Sequence, residues 1–509
     1  MTEVLDRERH RTAGPPSVAR PGIAAIAAVG AGILVYSASR YGYFGDELYF
    51  LAAGRRLSVD YADQGPLVPL LAALMDALAP GSFWAVRLPA VLLTVAAIVV
   101  CALTAREFGG GRAAQLLAAG GYASSPFLLL QGSMLTTNTV DTALWVIITW
   151  LVVRWVRVRD DRLLLAAALV TAVDMQVKWL IPFFWLCAVA ASLLCGPREL
   201  VRRPLLWLGG AVVVVTTIPQ LVWQAGRDWP YLALGQVIGE QQGLLGGRLL
   251  FVPASIAIAG PLGVLLLIGG VWALLAWEPL RPYRFLGVAM LLLWVVFMLT
   301  GGRIYYPAGM YGVVLAAGAV GWVAVLRSGS RVRRRLLIGF TALLTAVALL
   351  LMGSAIPWRS PEDITPVSDD VEAALNIGTY GSFGWPELTD EVTAAYDALA
   401  PTERAATVVL TETYWQASAL DQLGRDRLPP IYSPKRGFGY FGSPTDDAAT
   451  VLAVGFDEPE LRERFTGVEP VGRVDTRLGF PGETKDVTFY RCTGLKGSWS
   501  TVWPEWMSL

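Results

Sequence analysis

The chain has 509 residues, of which 54% are hydrophobic and only 16% are charged, and its formal net charge is zero. Soluble domains usually carry about 25% charged residues. The composition therefore excludes an ordinary soluble protein and predicts a polytopic α-helical membrane protein. With no excess of positive charge, we expect no nucleic-acid partner.

Cysteine and histidine are too sparse for several kinds of site. The four cysteines (101, 187, 195 and 492) have no metal-like spacing, and the single histidine, His10, lies in the N-terminal tail. The sequence therefore predicts neither a disulfide framework nor a zinc site. It also excludes histidine-based catalysis in the membrane.

Apolar segments along the chain predict about eleven membrane-spanning helices. They lie near 21–40, 84–105, 113–131, 139–156, 162–177, 179–195, 204–223, 254–277, 284–300, 305–326 and 336–355. Arginine clusters fall in alternate connections, so the positive-inside rule places the tail 1–20 in the cytoplasm. An odd number of spans then places the C-terminal segment outside the cell. The preference for arginine over lysine and the richness in alanine, glycine and valine suggest a bacterial protein, so we expect the membrane to be a bacterial plasma membrane.

The loops and the C-terminal segment complete the predicted domain organisation of the chain. The membrane domain, 21–356, has an outer loop at 41–83, with short amphipathic pieces at 46–56 and 66–79, and a second outer loop at 224–253. Residues 357–509 hold most of the acidic residues and read as a small extracytoplasmic α/β domain. Within it we predict strands at 407–410 and 450–455 and a helix at 414–423.

The first outer loop carries the most informative motif, the carboxylates Asp46 and Glu47 among aromatic side chains. A carboxylate at the outer surface could accept a proton from an incoming hydroxyl while a lipid-borne donor waits in the bilayer. The structural alternative is that Asp46 is only a helix N-cap.

Further ionisable residues lie at the predicted outer helix ends, namely Arg87, Asp141, Lys178 and Arg303. A charge within a span costs roughly 2.5–3.5 kcal/mol on insertion scales, so such residues usually face a cavity or have a partner. Cations at this depth could hold a lipid-linked phosphate. For each cation, snorkelling to the interface is the alternative.

In these motifs the chain resembles bacterial members of glycosyltransferase family 39, which includes protein O-mannosyltransferases and is similar to the lipid A aminoarabinose transferases. The matching residues are Asp46-Glu47 with Tyr49, Arg87-Leu88-Pro89, Asn138 with Asp141, Lys178, Trp223-Gln224 with Trp229-Pro230, and Arg303 with Tyr305-Tyr306. In the outer domain, the stretches 414–420 and 428–433 look like the tail of actinobacterial members. The resemblance implies the GT-C fold.

The resemblance also implies a reaction, an inverting transfer from a polyprenyl-phosphate sugar to a hydroxyl acceptor. By analogy Asp46 is the general base or orients the nucleophile. Glu47 shares that role or holds a neighbouring backbone, and Asp141 orients the acceptor or shapes the sugar pocket. The donor phosphate is bound by Arg87, Lys178, Arg303, Tyr305 and Tyr306. Substrate contacts are assigned to Tyr49, Asn138 and Glu240. Glu240 could contact the acceptor or a metal ion, and an exposed loop acid is the alternative.

The chain departs from the eukaryotic protein mannosyltransferases, because its outer domain does not resemble their β-trefoil. A protein acceptor is therefore no better supported than a glycolipid or a cell-wall polysaccharide. Some GT-C enzymes use a divalent cation, but no spacing of acidic residues here indicates a metal site.

Two other functions stay open at this stage. A transporter or flippase of a lipid-linked sugar would use the same phosphate-binding cations without a base. Transporters often show inverted repeats and broken helices near the bilayer midplane, and the sequence indicates neither. A membrane scaffold that binds a partner through its outer domain would leave the charges at the helix ends unexplained.

Overall fold

A computed structural model describes residues 14–244 and 247–509. The predicted tail therefore falls mostly outside the described residues, as do His10 and residues 245–246 of the second outer loop. Helices of the first part of the chain are α1 (Arg20–Ala38), α2 (Gly45–Gly54), α3 (Leu67–Leu78), α4 (Phe83–Glu107), α5 (Arg112–Ala123), α6 (Pro126–Gly132), α7 (Thr137–Val158), α8 (Arg162–Asp174), α9 (Ile181–Cys195), α10 (Pro204–Ala225), α11 (Pro230–Leu244), α12 (Gly247–Ala257), α13 (Gly260–Ala276), α14 (Arg284–Leu299), α15 (Tyr311–Arg327) and α16 (Arg331–Ala355). Short 3₁₀ helices precede α10, α14 and α15, at Leu200–Arg202, Glu278–Tyr283 and Tyr306–Met310.

Every predicted span coincides with a helix or a helix pair. In the described part of the chain, 7 helices are long and apolar enough to cross a membrane, or up to 9 if each bent pair is one span. The helices α8 and α9 have only 13 and 15 residues, which is too short to cross the membrane by themselves. The multi-pass membrane architecture is confirmed, and the number eleven stays a prediction.

The segment predicted as one span at 113–131 is broken into α5 and α6, which meet at 67°. The hydroxyl of Ser125 caps α6 by accepting a hydrogen bond from the Leu128 amide, and Pro126 occupies the first helical turn. These residues begin a new helix, since proline at that position needs no amide partner. Hydropathy alone could not show the break.

The C-terminal region is the small α/β domain that the sequence predicts. It contains α17 (Asp370–Leu375), α18 (Ile377–Tyr380), α19 (Trp385–Asp397), α20 (Pro401–Arg404), β1 (Thr407–Thr411), α21 (Tyr414–Leu423), β2 (Ile431–Tyr432), β3 (Thr450–Val454), α22 (Glu458–Arg464), β4 (Phe465–Val474), β5 (Val487–Leu495) and α23 (Trp499–Trp506), with 3₁₀ turns at Pro361–Asp363 and Arg436–Phe441. The sheet has the order β2-β1-β3-β5-β4. β2, β1 and β3 are parallel, and β5 pairs antiparallel with both β3 and β4.

The outer loop and the C-terminal domain share one apolar core. Buried side chains from α2 and α3, such as Leu48 and Val68, belong to the same cluster as Leu420 of α21 and Leu452 of β3. Because burial of a large aliphatic side chain stabilises by about 1.5–3 kcal/mol, this cluster holds the domain against the outer loop. The first carboxylate motif therefore lies beneath the C-terminal domain.

Candidate active site

A cavity of about 1320 Å³ lies between the outer loop, the outer helix ends and the C-terminal domain. Eight of the predicted site residues line it: Asp46, Tyr49, Asn138, Lys178, Glu240, Arg303, Tyr305 and Tyr306. The other three, Glu47, Arg87 and Asp141, do not. The chain thus brings together residues that are more than 250 positions apart in sequence.

Asp46 lies in the first turn of α2 but does not cap the helix, because the N-cap position is Phe44. Its Oδ1 accepts hydrogen bonds from the Tyr414 hydroxyl at 2.9 Å and from the Trp415 indole nitrogen at 2.7 Å. Among the described residues, Oδ2 has no hydrogen-bond partner. Asp46 therefore presents one free carboxylate oxygen at the cavity wall.

Glu47 and Arg87 form a buried ion pair, with 0% and 1% of their side chains exposed. The Arg87 Nε donates to Glu47 Oε1 at 2.9 Å and Nη2 donates to Oε2 at 2.8 Å. The other guanidinium bonds go to the carbonyls of Ala38, Tyr41 and Gly42. Every donor group of Arg87 is used, which leaves none for a phosphate.

In this structure the side chains of Glu47 and Arg87 are therefore not available for catalysis and phosphate binding, and Glu47 has its alternative role of holding a neighbouring backbone. Adjacent helix residues point about 100° apart, so Asp46 and Glu47 cannot share one task. Glu47 also accepts hydrogen bonds from the backbone amides of Phe44 and Leu135, which joins the outer loop to the segment before α7. This ion pair positions α2, and with it Asp46.

Lys178 lies in the turn between α8 and α9. Its Nζ donates to Asn138 Oδ1 at 3.0 Å and lies 4.6 Å from the ring centroid of Tyr306 and 5.7 Å from that of Tyr305. No carboxylate of the described residues forms a salt bridge with it. The aromatic faces and the amide hold the ammonium group in place without neutralising its charge.

Arg303 lies in the tight turn that follows α14. Gly301 has φ +70, and a Cβ there would lie 2.6 Å from the Cα of Gly239, so the close approach of this turn to α11 requires glycine. Among the residues that the structure describes, the Arg303 guanidinium has neither an ion-pair nor a hydrogen-bond partner. A second uncompensated cation therefore lines the cavity.

Asp141 is buried inside the helix bundle, with 4% of the residue exposed. It accepts a hydrogen bond from the Trp145 indole nitrogen at 3.1 Å, whereas Asn138, one turn earlier, faces the cavity. The predicted contact of Asp141 with the acceptor is not supported, because the side chain is covered by its own helix bundle. Glu240, in contrast, is exposed on α11 and lines the cavity, which is compatible both with the predicted contact and with the alternative of an exposed acid.

Sequence reasoning missed three charged residues of the cavity, Asp63, Arg248 and Arg436. Asp63 Oδ1 accepts a hydrogen bond from the Tyr49 hydroxyl at 2.8 Å, and burial raises the pKa of Asp63 to about 6. The sequence could have indicated Asp63 as a site residue, because it lies in the first outer loop together with Asp46. No sequence feature indicates Arg436, because its place in the cavity depends on how the C-terminal domain docks.

No group of three or more histidine, cysteine or acidic side chains in the described part of the chain could hold a metal ion. Metal dependence stays untested.

Part of the chain matches the model of a known protein family. Residues 63–223 match the family described as dolichyl-phosphate-mannose-protein mannosyltransferase. A comparison with curated proteins found no match.

Solved structures share the fold over nearly the whole chain. ArnT from Cupriavidus metallidurans in the apo state is 14% identical with a TM-score of 0.57, over 93% of this chain and 98% of that chain. The same protein bound to undecaprenyl phosphate gives the same identity and TM-score over 92% and 97%. The arabinofuranosyltransferase AftD from Mycobacteria is 15% identical with a TM-score of 0.51, over 94% of this chain and 42% of that one. The chain is therefore a polytopic membrane protein with the GT-C fold of these glycosyltransferases.

Proposed function

We propose that this protein is a membrane glycosyltransferase that moves a sugar from a polyprenyl-phosphate donor to a hydroxyl acceptor on the outer face of the membrane. The observation that carries the proposal is the single cavity in which Asp46, with one free carboxylate oxygen, lies with Lys178 and Arg303, which have no carboxylate partner. A base and two free cations are what displacement of a phosphate by a hydroxyl needs.

Asp46 acts as the general base in this proposal. Its free Oδ2 takes the proton of the acceptor hydroxyl as the acceptor oxygen bonds to the anomeric carbon. The bond from that carbon to the phosphate oxygen breaks, and its electron pair leaves with the polyprenyl phosphate. Attack from the opposite face inverts the anomeric centre, and general-base assistance is typically worth 10²–10⁴-fold in rate.

Lys178 and Arg303 bind the donor phosphate and stabilise the charge that grows on it. Arginine offers a planar fork to two phosphate oxygens, whereas the lysine ammonium acts as a point charge. Tyr305 and Tyr306 hold Lys178 from one side, and Asn138 holds it from another. The solved ArnT complex shows that a protein of this fold binds undecaprenyl phosphate, which supports a lipid carrier of the same class.

The remaining cavity residues provide the surroundings of the two substrates. Tyr49 lines the cavity and orients Asp63, and Glu240 faces the cavity from α11. We assign them to sugar or acceptor contacts. The acceptor is a glycolipid, a polysaccharide or a protein, and the N-terminus is cytoplasmic with the catalytic cavity at the outer surface.

The test is a transfer assay with protein reconstituted into liposomes and a panel of radiolabelled polyprenyl-phosphate sugars, with bacterial membrane extract as the source of acceptor. Wild type is compared with Asp46→Asn and with Asp426→Asn, a control at an exposed residue outside the cavity. We expect transfer from one donor by wild type and by Asp426→Asn, and a loss of about 10²–10⁴-fold in Asp46→Asn.

Measuring the binding of sugar-free polyprenyl phosphate distinguishes the role of the cations from the role of the base. Lys178→Met and Arg303→Gln should each weaken that binding, while Asp46→Asn should not. Transport of labelled donor across the liposome membrane without product formation would support the flippase and contradict the enzyme.

A further inference from the structure

The C-terminal domain reaches the catalytic carboxylate directly. The hydrogen-bond donors to Asp46 come from Tyr414 and Trp415, more than 360 residues away in sequence, at the start of α21. Both bonds end on Oδ1, and Oδ2 is the oxygen left for substrate. A carboxylate with one oxygen doubly held cannot rotate about its Cβ–Cγ bond without losing both contacts.

The two donor side chains are themselves held in place. The Trp415 ring packs edge-on against Phe44 and Trp385, with centroid distances of 5.1 and 6.2 Å. Tyr414 packs edge-on against Tyr49 at 5.1 Å. Burial, and then the Asp46 carboxylate, raise the pKa of Tyr414 well above its usual value, so its hydroxyl keeps its proton and donates.

The backbone on the other side of the contact is shaped to receive Trp415. A Cβ on Gly45 would lie 2.2 Å from Trp415 Cδ2, which no real Cβ tolerates. Only glycine at position 45 therefore allows the start of α2 to lie this close to the indole ring. The contact is a specific fit between the outer loop and the C-terminal domain.

We infer that Tyr414 and Trp415 are positioning residues for the general base, so that the C-terminal domain is a working part of the catalytic unit and not an appended module. They fix Oδ1 of Asp46 and thereby direct Oδ2 at the acceptor hydroxyl. This inference rests on the proposed function, since positioning has meaning only if Asp46 acts as a base.

The experiment is a pair of double-mutant cycles, one between Trp415→Phe and Asp46→Asn and one between Tyr414→Phe and Asp46→Asn. Each aromatic substitution removes the hydrogen-bond donor and keeps most of the packing. The matched controls are Trp506→Phe and Tyr380→Phe, which lose bonds to the Glu460 carboxylate and to the carbonyl of Thr365 in the same domain. Two quantities are measured for every protein, the turnover number in the transfer assay and the thermal unfolding temperature.

We expect Trp415→Phe and Tyr414→Phe each to lower kcat by about 10- to 100-fold, the range for loss of one hydrogen bond to a charged group. The donor KM should stay within about twofold, because neither residue is assigned to the phosphate. In the Asp46→Asn background the same substitutions should leave the residual rate unchanged. The controls should keep the wild-type kcat.

Two results would overturn the inference, and they are distinguishable from failure of the function itself. If wild type transfers sugar but the aromatic variants lose kcat equally with and without Asp46, the residues are only structural. If they lose no more kcat than Trp506→Phe, they are not positioning residues. If wild type transfers no sugar while the unfolding temperatures still show coupling to Asp46, the contact is real but the proposed function fails, and the positioning role fails with it.

Discussion

At the scale of single residues, the adjacent acids Asp46 and Glu47 have opposite environments. Asp46 lines the cavity with a free oxygen, and Glu47 is fully buried against Arg87. The sequence pattern could identify the pair as important but could not tell the two apart, because that depends on which face of α2 meets the helix bundle. The same limit applies to Arg87, which looked like Lys178 and Arg303 until its partners were known.

The ion pair gives a stability prediction for Glu47→Gln. A neutral amide would leave the buried Arg87 guanidinium without a counter-charge, and breaking a buried pair this way costs about 3–5 kcal/mol. Thermal unfolding in detergent should therefore show a clear loss of stability, whereas Asp46→Asn should unfold close to wild type. Equal stability of Glu47→Gln and wild type would contradict the structural role of the pair.

At the scale of elements, the local predictions were accurate where periodicity decides structure. The helix at 414–423 and the strands near 407–410 and 450–455 are confirmed. The break between α5 and α6 was missed, because it depends on a serine cap and a proline within an apolar run. How α2 meets α21 could not be predicted at all, since it is a contact between distant parts of the chain.

That contact predicts the effect of Gly45→Ala. The added methyl group must displace Trp415, so the variant should lose at least as much transfer rate as Trp415→Phe. Gly120→Ala is the matched control, because a Cβ at this other helical glycine meets nothing within 4 Å. Comparable rates for the two alanine variants would show that the approach at Gly45 is less tight than described.

The outer loop before α3 predicts a pH dependence of stability. Asp60 is buried and accepts hydrogen bonds from Gln224 at 2.7 Å and Gln220 at 3.4 Å, which join this loop to α10. Burial raises the pKa of Asp60 from 3.8 to about 7. The folded state then binds more protons than the unfolded state between these values, so the free energy of unfolding falls as pH rises through that window.

The variant Asp60→Asn should lack this dependence. The difference in unfolding temperature, variant minus wild type, should increase between pH 5 and pH 8, because only wild type must ionise a buried carboxyl. The measurement is thermal unfolding in detergent across that range. A difference that is constant with pH would mean that Asp60 titrates at its ordinary value in the folded protein.

At the scale of the whole molecule, composition and hydropathy were enough for the multi-pass membrane architecture, and the resemblance of the ordered motifs to a known family was enough for the GT-C fold. The cavity itself was only partly predictable. Residues at the outer helix ends share a depth that the topology reveals, but Arg436 and Trp415 enter from the C-terminal domain, whose docking no local pattern encodes.

The predicted orientation can be checked by cysteine labelling with a membrane-impermeant reagent, after replacement of the four native cysteines. Glu463→Cys, on the exposed surface of the C-terminal domain, should react in intact cells. Ser328→Cys, in the exposed turn between α15 and α16, should react only after lysis. The reverse pattern would place the cavity on the cytoplasmic side.

The central claim is that Asp46 is the base of a sugar transfer, and single-turnover kinetics test it most directly. Labelled donor is bound first to wild type, Asp46→Asn or Asp426→Asn, acceptor is then added, and the rate of label transfer is followed. The account predicts equal donor binding by all three proteins and a transfer step slowed by about 10²–10⁴-fold in Asp46→Asn alone. Transfer at the wild-type rate by Asp46→Asn, with donor fully bound, would contradict it.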